Sequence, residues 1–133
     1  MKLSVYREIA LKELTEIIPS DILFFQYEEE IKKIIVRTRS RKYYLTGSIN
    51  YWSDLMAING FNFMIAGRDS IINIDQVRAV ECGRNFAYFE QDPTEDSQYC
   101  AFSKARFMYL MDKIGIPLSR VKFAEKRKEL ILI

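Results

Sequence analysis

The side chains of this 133-residue chain that could do chemistry are mostly cations and carboxylates, and they are unevenly distributed. Lys32, Lys33, Arg37, Arg39, Arg41 and Lys42 follow one another between residues 31 and 53 with no acid among them. A second run, Lys104, Arg106, Lys113, Arg120, Lys122, Lys126, Arg127 and Lys128, meets only Asp112 and Glu125. Such groups suit an anionic surface, above all one built of phosphates, where each neutralised charge releases a condensed counterion. The formal net charge is only +2, so any attraction is local. Glu28-Glu29-Glu30 and the stretch holding Glu90, Asp92, Glu95 and Asp96 concentrate the opposite sign. One charge run alone is usually a solvated face; two runs of the same sign point to a partner.

Catalytic chemistry is poorly supplied. Histidine is absent, which removes the commonest general base, the Ser-His and Cys-His dyads and the usual zinc-ligand patterns. Adjacent carboxylates at Glu28–Glu30 and Glu95-Asp96 lack a partner nucleophile, and no glycine-rich loop is present to cradle a phosphate. Cys82 and Cys100 show no CxxC spacing and read as half-buried thiols of a reducing compartment. The expectation is a non-enzyme with no catalytic residue, metal site or cofactor.

These side chains need a folded scaffold. Apolar residues make up 49% of the chain against 29% charged, with few Gly and Pro, which excludes wholesale disorder and fits one domain. The longest uncharged stretch, Leu55 to Ala66, falls short of the roughly 20 apolar residues a membrane span needs. The N-terminus, Met-Lys-Leu-Ser-Val-Tyr-Arg-Glu, has no apolar run leading to a small-residue cleavage site. A soluble, cytoplasmic protein is expected.

Ile9, Leu11, Leu14, Ile17 and Ile18 stand near helical spacing before Pro19, predicting a short N-terminal helix over about 6–18 and an extension, 1–18, ahead of a main domain, 19–133. From Asp21 onward the pattern becomes β. Strands are expected around Ile22–Phe25, Ile34–Thr38, Tyr43–Thr46, Phe61–Ile65, Ser70–Ile74, Val77–Glu81, Phe86–Glu90 and Tyr99–Phe102, with a hairpin of open turn type at Arg39–Arg41. Ser48 is placed to cap a helix over about Ile49–Met56. Helices follow from about Ser103 to Ile114 and, capped by Ser119, to Lys128. The tail Leu130–Ile133 reads either as a strand or as a docked helix end. The class is mainly β with a few short helices.

The segment Asn62 to Val77, with Arg68, the aliphatic pair Ile71-Ile72, Asn73 and the later Val77, resembles the signature of the LytTR family of bacterial DNA-binding domains. Gly67 and Asp69 stand where that signature usually has histidine and serine. Asp21–Phe25 is similar to the family's opening strand, and Tyr43 through Ile49 to its strand leading into a single helix, in matching order from Asp21 to Phe89. The resemblance implies an antiparallel β fold whose loops enter successive major grooves of duplex DNA. It implies a stand-alone transcription regulator, because the 20 residues before Asp21 are too few for a receiver domain.

Carried over by position, the resemblance places Lys32 and Lys33 in a first DNA loop and Arg68 in a second. The closing motif, a serine followed by basic residues opening a helix, has two candidates: Ser103-Lys104-Ala105-Arg106 and Ser119-Arg120. Lys104 and Arg106, or else Arg120, would then supply the third contact. Lysine and arginine neutralise phosphates, and arginine can pair with guanine O6 and N7 through two hydrogen bonds. Asn73 reads as structural, its amide satisfying turn backbone groups. Promoter DNA, as direct repeats read by a homodimer, and a membrane-bound or soluble regulatory protein are the partners the resemblance implies. The triplet Glu28–Glu30 beside the first loop would repel phosphates, so the alternative is a protein-interaction module on the same scaffold with DNA binding weakened or lost.

Overall fold

Runs of adjacent apolar residues in the first half of the chain, such as Phe24-Phe25, Ile34-Ile35-Val36 and Ile71-Ile72, demand strands buried on both faces rather than on one. The computed structural model describes residues 1–133 and places these runs in an antiparallel sheet of seven strands. In chain order they are β1 (Leu3–Tyr6), β2 (Leu14–Ile17), β3 (Phe24–Glu28), β4 (Lys33–Arg37), β5 (Lys42–Leu45), β6 (Phe63–Gly67) and β7 (Ser70–Asn73). Across the sheet they run β2-β1-β5-β4-β3-β7-β6. The sheet and helix α1 (Ile49–Ile58) belong to a first compact unit, Met1–Gln76; a second comprises Val77–Ile133.

One face of the seven-stranded sheet carries Val5, Phe25, Ile34, Val36, Leu45 and Ile71, which form a cluster with Ile49 and Met56 of α1. The other face carries Phe24, Ile35, Tyr44, Met64 and Ile72, also buried. Helix α1 begins as its sequence requires, with Ser48 Oγ accepting the Tyr51 amide hydrogen at 3.1 Å. Just ahead of it, Trp52 Nε1 donates to the Thr46 carbonyl at 2.8 Å. Gly47, at φ 104°, is obligatory there: a Cβ would stand 3.0 Å from that same indole nitrogen.

The expected N-terminal helix is not formed. Residues 3–17 make a β-hairpin instead, with Leu3 paired to Ile17 and Val5 to Thr15, and Tyr6 joins it to the sheet opposite Tyr44 of β5. Leu3 and Val5, two apart, are buried, whereas Ile9 and Leu14, on which the helical spacing depended, are 47% and 58% exposed. A period of two that buries side chains in a sheet outweighs a short period of 3.6 with nothing to pack against.

The second unit holds a four-stranded antiparallel sheet, ordered β10-β9-β8-β11, from β8 (Ala79–Glu81), β9 (Phe86–Tyr88), β10 (Tyr99–Ala101) and β11 (Leu130–Leu132). The tail is therefore a strand, with Ile131 opposite Val80. Helices α2 (Lys104–Lys113) and α3 (Leu118–Arg127) contribute buried Phe107, Leu110, Met111, Val121 and Ala124. Ser119 does not cap α3: Pro117 holds the N-cap position at ψ 150° without a side-chain bond. Ser119 is the second residue inside the helix, where its hydroxyl cannot meet the amides it was expected to satisfy. Cys82 and Cys100 are buried and not joined in a disulfide, and burial pushes the Cys82 thiol up from its ordinary value. No helix is long and apolar enough to cross a membrane.

Helix α3 ends on Lys128 in the left-handed region, at φ 54° and ψ 42°. A Cβ is unfavourable there and glycine is not. Lys128→Gly should therefore raise the unfolding free energy by about 0.5–1 kcal/mol, measured as a higher urea midpoint at unchanged slope; a lower midpoint would contradict it.

Candidate nucleic-acid interface

Strand order decides which basic residues meet. β3 pairs antiparallel with both β4 and β7, with Glu28 opposite Lys33 and Gln26 opposite Ser70. The β3–β4 turn, residues 29–32, and the β6–β7 turn at Arg68 and Asp69 therefore emerge from the same end of the sheet. A hydrogen bond from the Tyr27 amide to the Asp69 carbonyl, 2.7 Å, ties the base of one turn to the other. Lys32, Lys33 and Arg68, predicted from separate stretches of sequence, thus share one rim.

Their side chains differ in freedom. Lys32 is exposed and has φ 52°. Lys33 is half-buried, and its Nζ donates to the Ile31 carbonyl at 3.4 Å. Arg68 is exposed at the turn tip, where neither a hydrogen bond nor an ion pair engages its guanidinium. Asp75, one of its conceivable intramolecular partners, instead accepts from Asn62 Nδ2 at 3.0 Å. A β-bulge between Ile65 and Gly67 irregularises the strand that leads into this tip, as bulges do where a side chain must be re-aimed. The acidic triplet shares the rim, with Glu28 half-buried at the end of β3 and Glu29 and Glu30 exposed in the turn.

The basic segment between residues 31 and 53 is continuous in sequence but divided in space. The five residues of β4, Lys33–Arg37, separate Lys32 at one end from Arg39, Arg41 and Lys42 at the other, a span of roughly 16 Å at 3.3 Å per residue. At that far end Thr38 Oγ1 donates to the Arg41 carbonyl at 2.7 Å, and Arg39 donates to Gln76 Oε1 at 2.9 Å. Arg37, within the strand, donates to Gln26 Oε1 at 3.4 Å and lies over the Phe24 ring.

Asn73 is 3% exposed. Its Nδ2 donates to the carbonyls of Ile22, 2.9 Å, and Pro19, 3.4 Å, and its Oδ1 accepts the Asp75 amide hydrogen at 3.2 Å. One amide thus joins the turn before β3 to the turn after β7, which is the structural role its place in the signature suggested.

In the second unit, Ser103 Oγ accepts the Arg106 amide hydrogen at 3.3 Å and opens α2, with Lys104 and Arg106 exposed on its first turn. No acid balances them there, although cations are disfavoured at the positive end of a helix dipole. An external anion would relieve that cost. Arg120 is differently placed, its Nη1 3.3 Å from Glu129 Oε2 and its guanidinium over the Phe123 ring. Of the two closing segments, Ser103–Arg106 alone has the serine cap and the free cations.

Sequence reasoning passed over an aromatic cluster in this unit, formed by Phe86, Tyr88 and Tyr99. The alternation of Phe86 and Tyr88 within one short strand was its available signal. Nor did it find the pair beside this cluster, in which Arg84 donates to both carboxylate oxygens of Glu81. That guanidinium holds the Glu81 carboxyl below the usual carboxylate range.

The sequence matches the LytTr DNA-binding domain family over residues 12–130. No curated protein sequence matches it. Among solved structures, it is similar to the LytTr DNA-binding domain of a Bacillus cereus protein described as a methyl-accepting/DNA response regulator. The two superpose with a TM-score of 0.67 at 12% identity, covering 86% of this chain and 96% of that one. At that identity the likeness establishes the fold: antiparallel β sheets with short helices.

Proposed function

This chain belongs to the LytTr DNA-binding domain family, and from that premise we propose that it binds duplex DNA sequence-specifically, as the DNA-binding part of a bacterial transcription regulator reaching the major groove through loops. The observation that carries the reading is the rim on which the turn bearing Lys32 and Lys33 and the turn bearing Arg68 emerge together. In the reading, Lys32 and Lys33 neutralise phosphates and set the register, and Arg68 reads a base edge. Lys104 and Arg106 add a further phosphate contact at the start of α2. Arg120, paired with Glu129, holds its own helix and leaves the contact set. Two copies on direct repeats, in promoter DNA, complete the proposal.

Arg68→Ala should lower affinity for the preferred duplex by about 5- to 150-fold, the equivalent of roughly 1–3 kcal/mol for a good base contact, and flatten preference at one base position. Lys32→Ala combined with Lys33→Ala should weaken all sequences alike and reduce the slope of log affinity against log salt by about 2. Fluorescence anisotropy on labelled duplexes across a salt series measures both. Unchanged affinity and preference in Arg68→Ala would remove that turn from the interface.

Glu29 and Glu30, exposed on the same turn as Lys32, favour a second reading, in which the scaffold serves a protein partner and DNA binding is weakened. Glu29→Gln with Glu30→Gln separates the two. Under the first reading it strengthens DNA binding several-fold at low salt, because repulsion of phosphates is relieved; under the second, duplex DNA stays unbound.

A further inference from the structure

The outward face of the second unit's sheet is neither basic nor bland. Phe86 and Tyr88 alternate along β9; Tyr99 of β10 lies opposite Tyr88, while Glu81 of β8 lies opposite Phe86 and Leu130 of β11 opposite Glu81. These side chains floor a groove of about 650 Å³, walled by Pro93, Thr94, Glu95 and Ser97. The Phe86 and Tyr99 rings stack with centroids 4.3 Å apart and planes 20° from parallel, and Tyr88 stands 6.3 to 6.4 Å from each. Arg84, fixed by its pair with Glu81, lies 4.7 Å from the Phe86 centroid. The floor is thus held in place before anything binds, which reduces the ordering cost of association.

The wall is ordered and acidic. Ser97 Oγ accepts the Thr94 amide hydrogen at 2.7 Å and donates to Glu90, and the Asp96 amide donates to Thr94 Oγ1 at 3.3 Å. Glu95 lines the groove, Glu90, Asp92 and Asp96 are exposed on the same segment, and no lysine or arginine occurs between Arg84 and Lys104. Four carboxylates exclude a phosphate backbone and attract a cation. Rigid aromatic rings beside carboxylates are the chemistry that recognises extended, proline-containing segments carrying a basic residue. A second copy of this chain has no such segment to offer: Pro19 is buried, Pro93 lines the groove, and Pro117 opens α3.

We propose that this groove docks an extended segment of another protein, with proline or aliphatic side chains on the Phe86–Tyr99 floor and a lysine or arginine at the Glu95 wall. The proposal stands apart from the DNA-binding reading and uses none of its residues. The test is fluorescence anisotropy of the full chain with a labelled peptide of alternating proline and leucine ending in two arginines, and with its counterpart ending in two glutamates. The arginine peptide binds at micromolar to submillimolar concentration and the glutamate peptide at least tenfold more weakly. Tyr99→Ala, at a 47% exposed edge position, and Glu95→Gln each weaken the arginine peptide fivefold or more, while duplex affinity in both variants stays within twofold.

Absence of peptide binding, equal affinity for the two peptides, or indifference to both substitutions would overturn the proposal. So would a fall in DNA affinity in Tyr99→Ala, which would give the face to nucleic acid. A concentration-dependent dimer in sedimentation that Tyr99→Ala abolishes would give it to a second copy.

Discussion

Asn73→Leu should lower the unfolding free energy by about 2–4 kcal/mol, although the two side chains are similar in size. The leucine cannot donate to the Ile22 and Pro19 carbonyls or accept from the Asp75 amide. A buried polar group left without a partner costs roughly 1–3 kcal/mol, more than a made hydrogen bond contributes on balance. The Ile22 carbonyl and the Asp75 amide lose this partner at once, whereas the Pro19 carbonyl keeps the Ile22 amide at 3.0 Å, and the added apolar surface recovers part of the loss. Asn73→Asp should also destabilise, since a carboxylate keeps the acceptor and loses both donors in a buried position. Urea unfolding reads both variants as a lower midpoint at unchanged slope. A loss under about 0.5 kcal/mol in Asn73→Leu would mean that water satisfies the turns without the amide, and the tie between the segments before β3 and after β7 would be incidental.

Phe25→Ala should cost about 3–5 kcal/mol, the range for removing a fully buried ring. Phe25 is fully buried in β3, paired with Val36 on one side and Ile71 on the other. Its ring lies 6.2 Å from Trp52 and 5.8 Å from Phe63, so its loss opens a cavity between the sheet and α1. The chain has a single tryptophan, and Trp52 emission should shift toward that of a hydrated indole as the cavity forms. The consequence reaches the candidate interface, because β3 is the strand on which both basic turns are built. Weakened DNA binding in Phe25→Ala would follow from a loosened rim rather than a lost contact, so it should be reduced for every sequence alike. An unchanged unfolding midpoint would show that the sheet repacks around the gap.

Much of the β scaffold was legible because its signals are local. Ile34-Ile35-Val36 and Ile71-Ile72 are too apolar to be half-exposed strands, and both lie in strands with a neighbour on each side. Ser48 announced its helix through the cap chemistry the structure contains, whereas the same reading of Ser119 failed because Pro117 already opens α3. The N-terminal hairpin was not legible: its stability comes from Leu3 and Val5 packing into a core assembled from residues far along the chain, and the short window 6–18 sees none of them. The same limit governs the interface. The sequence shows Lys32 and Arg68 as residues 36 positions apart, and only the pairing of β3 with both β4 and β7 brings their turns to one end. Conversely, a basic segment that looked continuous proved to be split between two ends of β4. Asn73 was read correctly because a lone asparagine after an apolar pair has few roles besides satisfying backbone.

Selection of bound duplexes from a random or host-genomic pool, followed by affinity measurements on the enriched sequences across salt, tests the central claim most directly. The account predicts enrichment of a short motif in paired copies and affinity that falls steeply and linearly in log salt. It also predicts that Arg68→Ala erases preference at one position within each copy. A pool that emerges without a shared motif, or binding that is weak and indifferent to sequence, would contradict it and leave the scaffold to protein recognition.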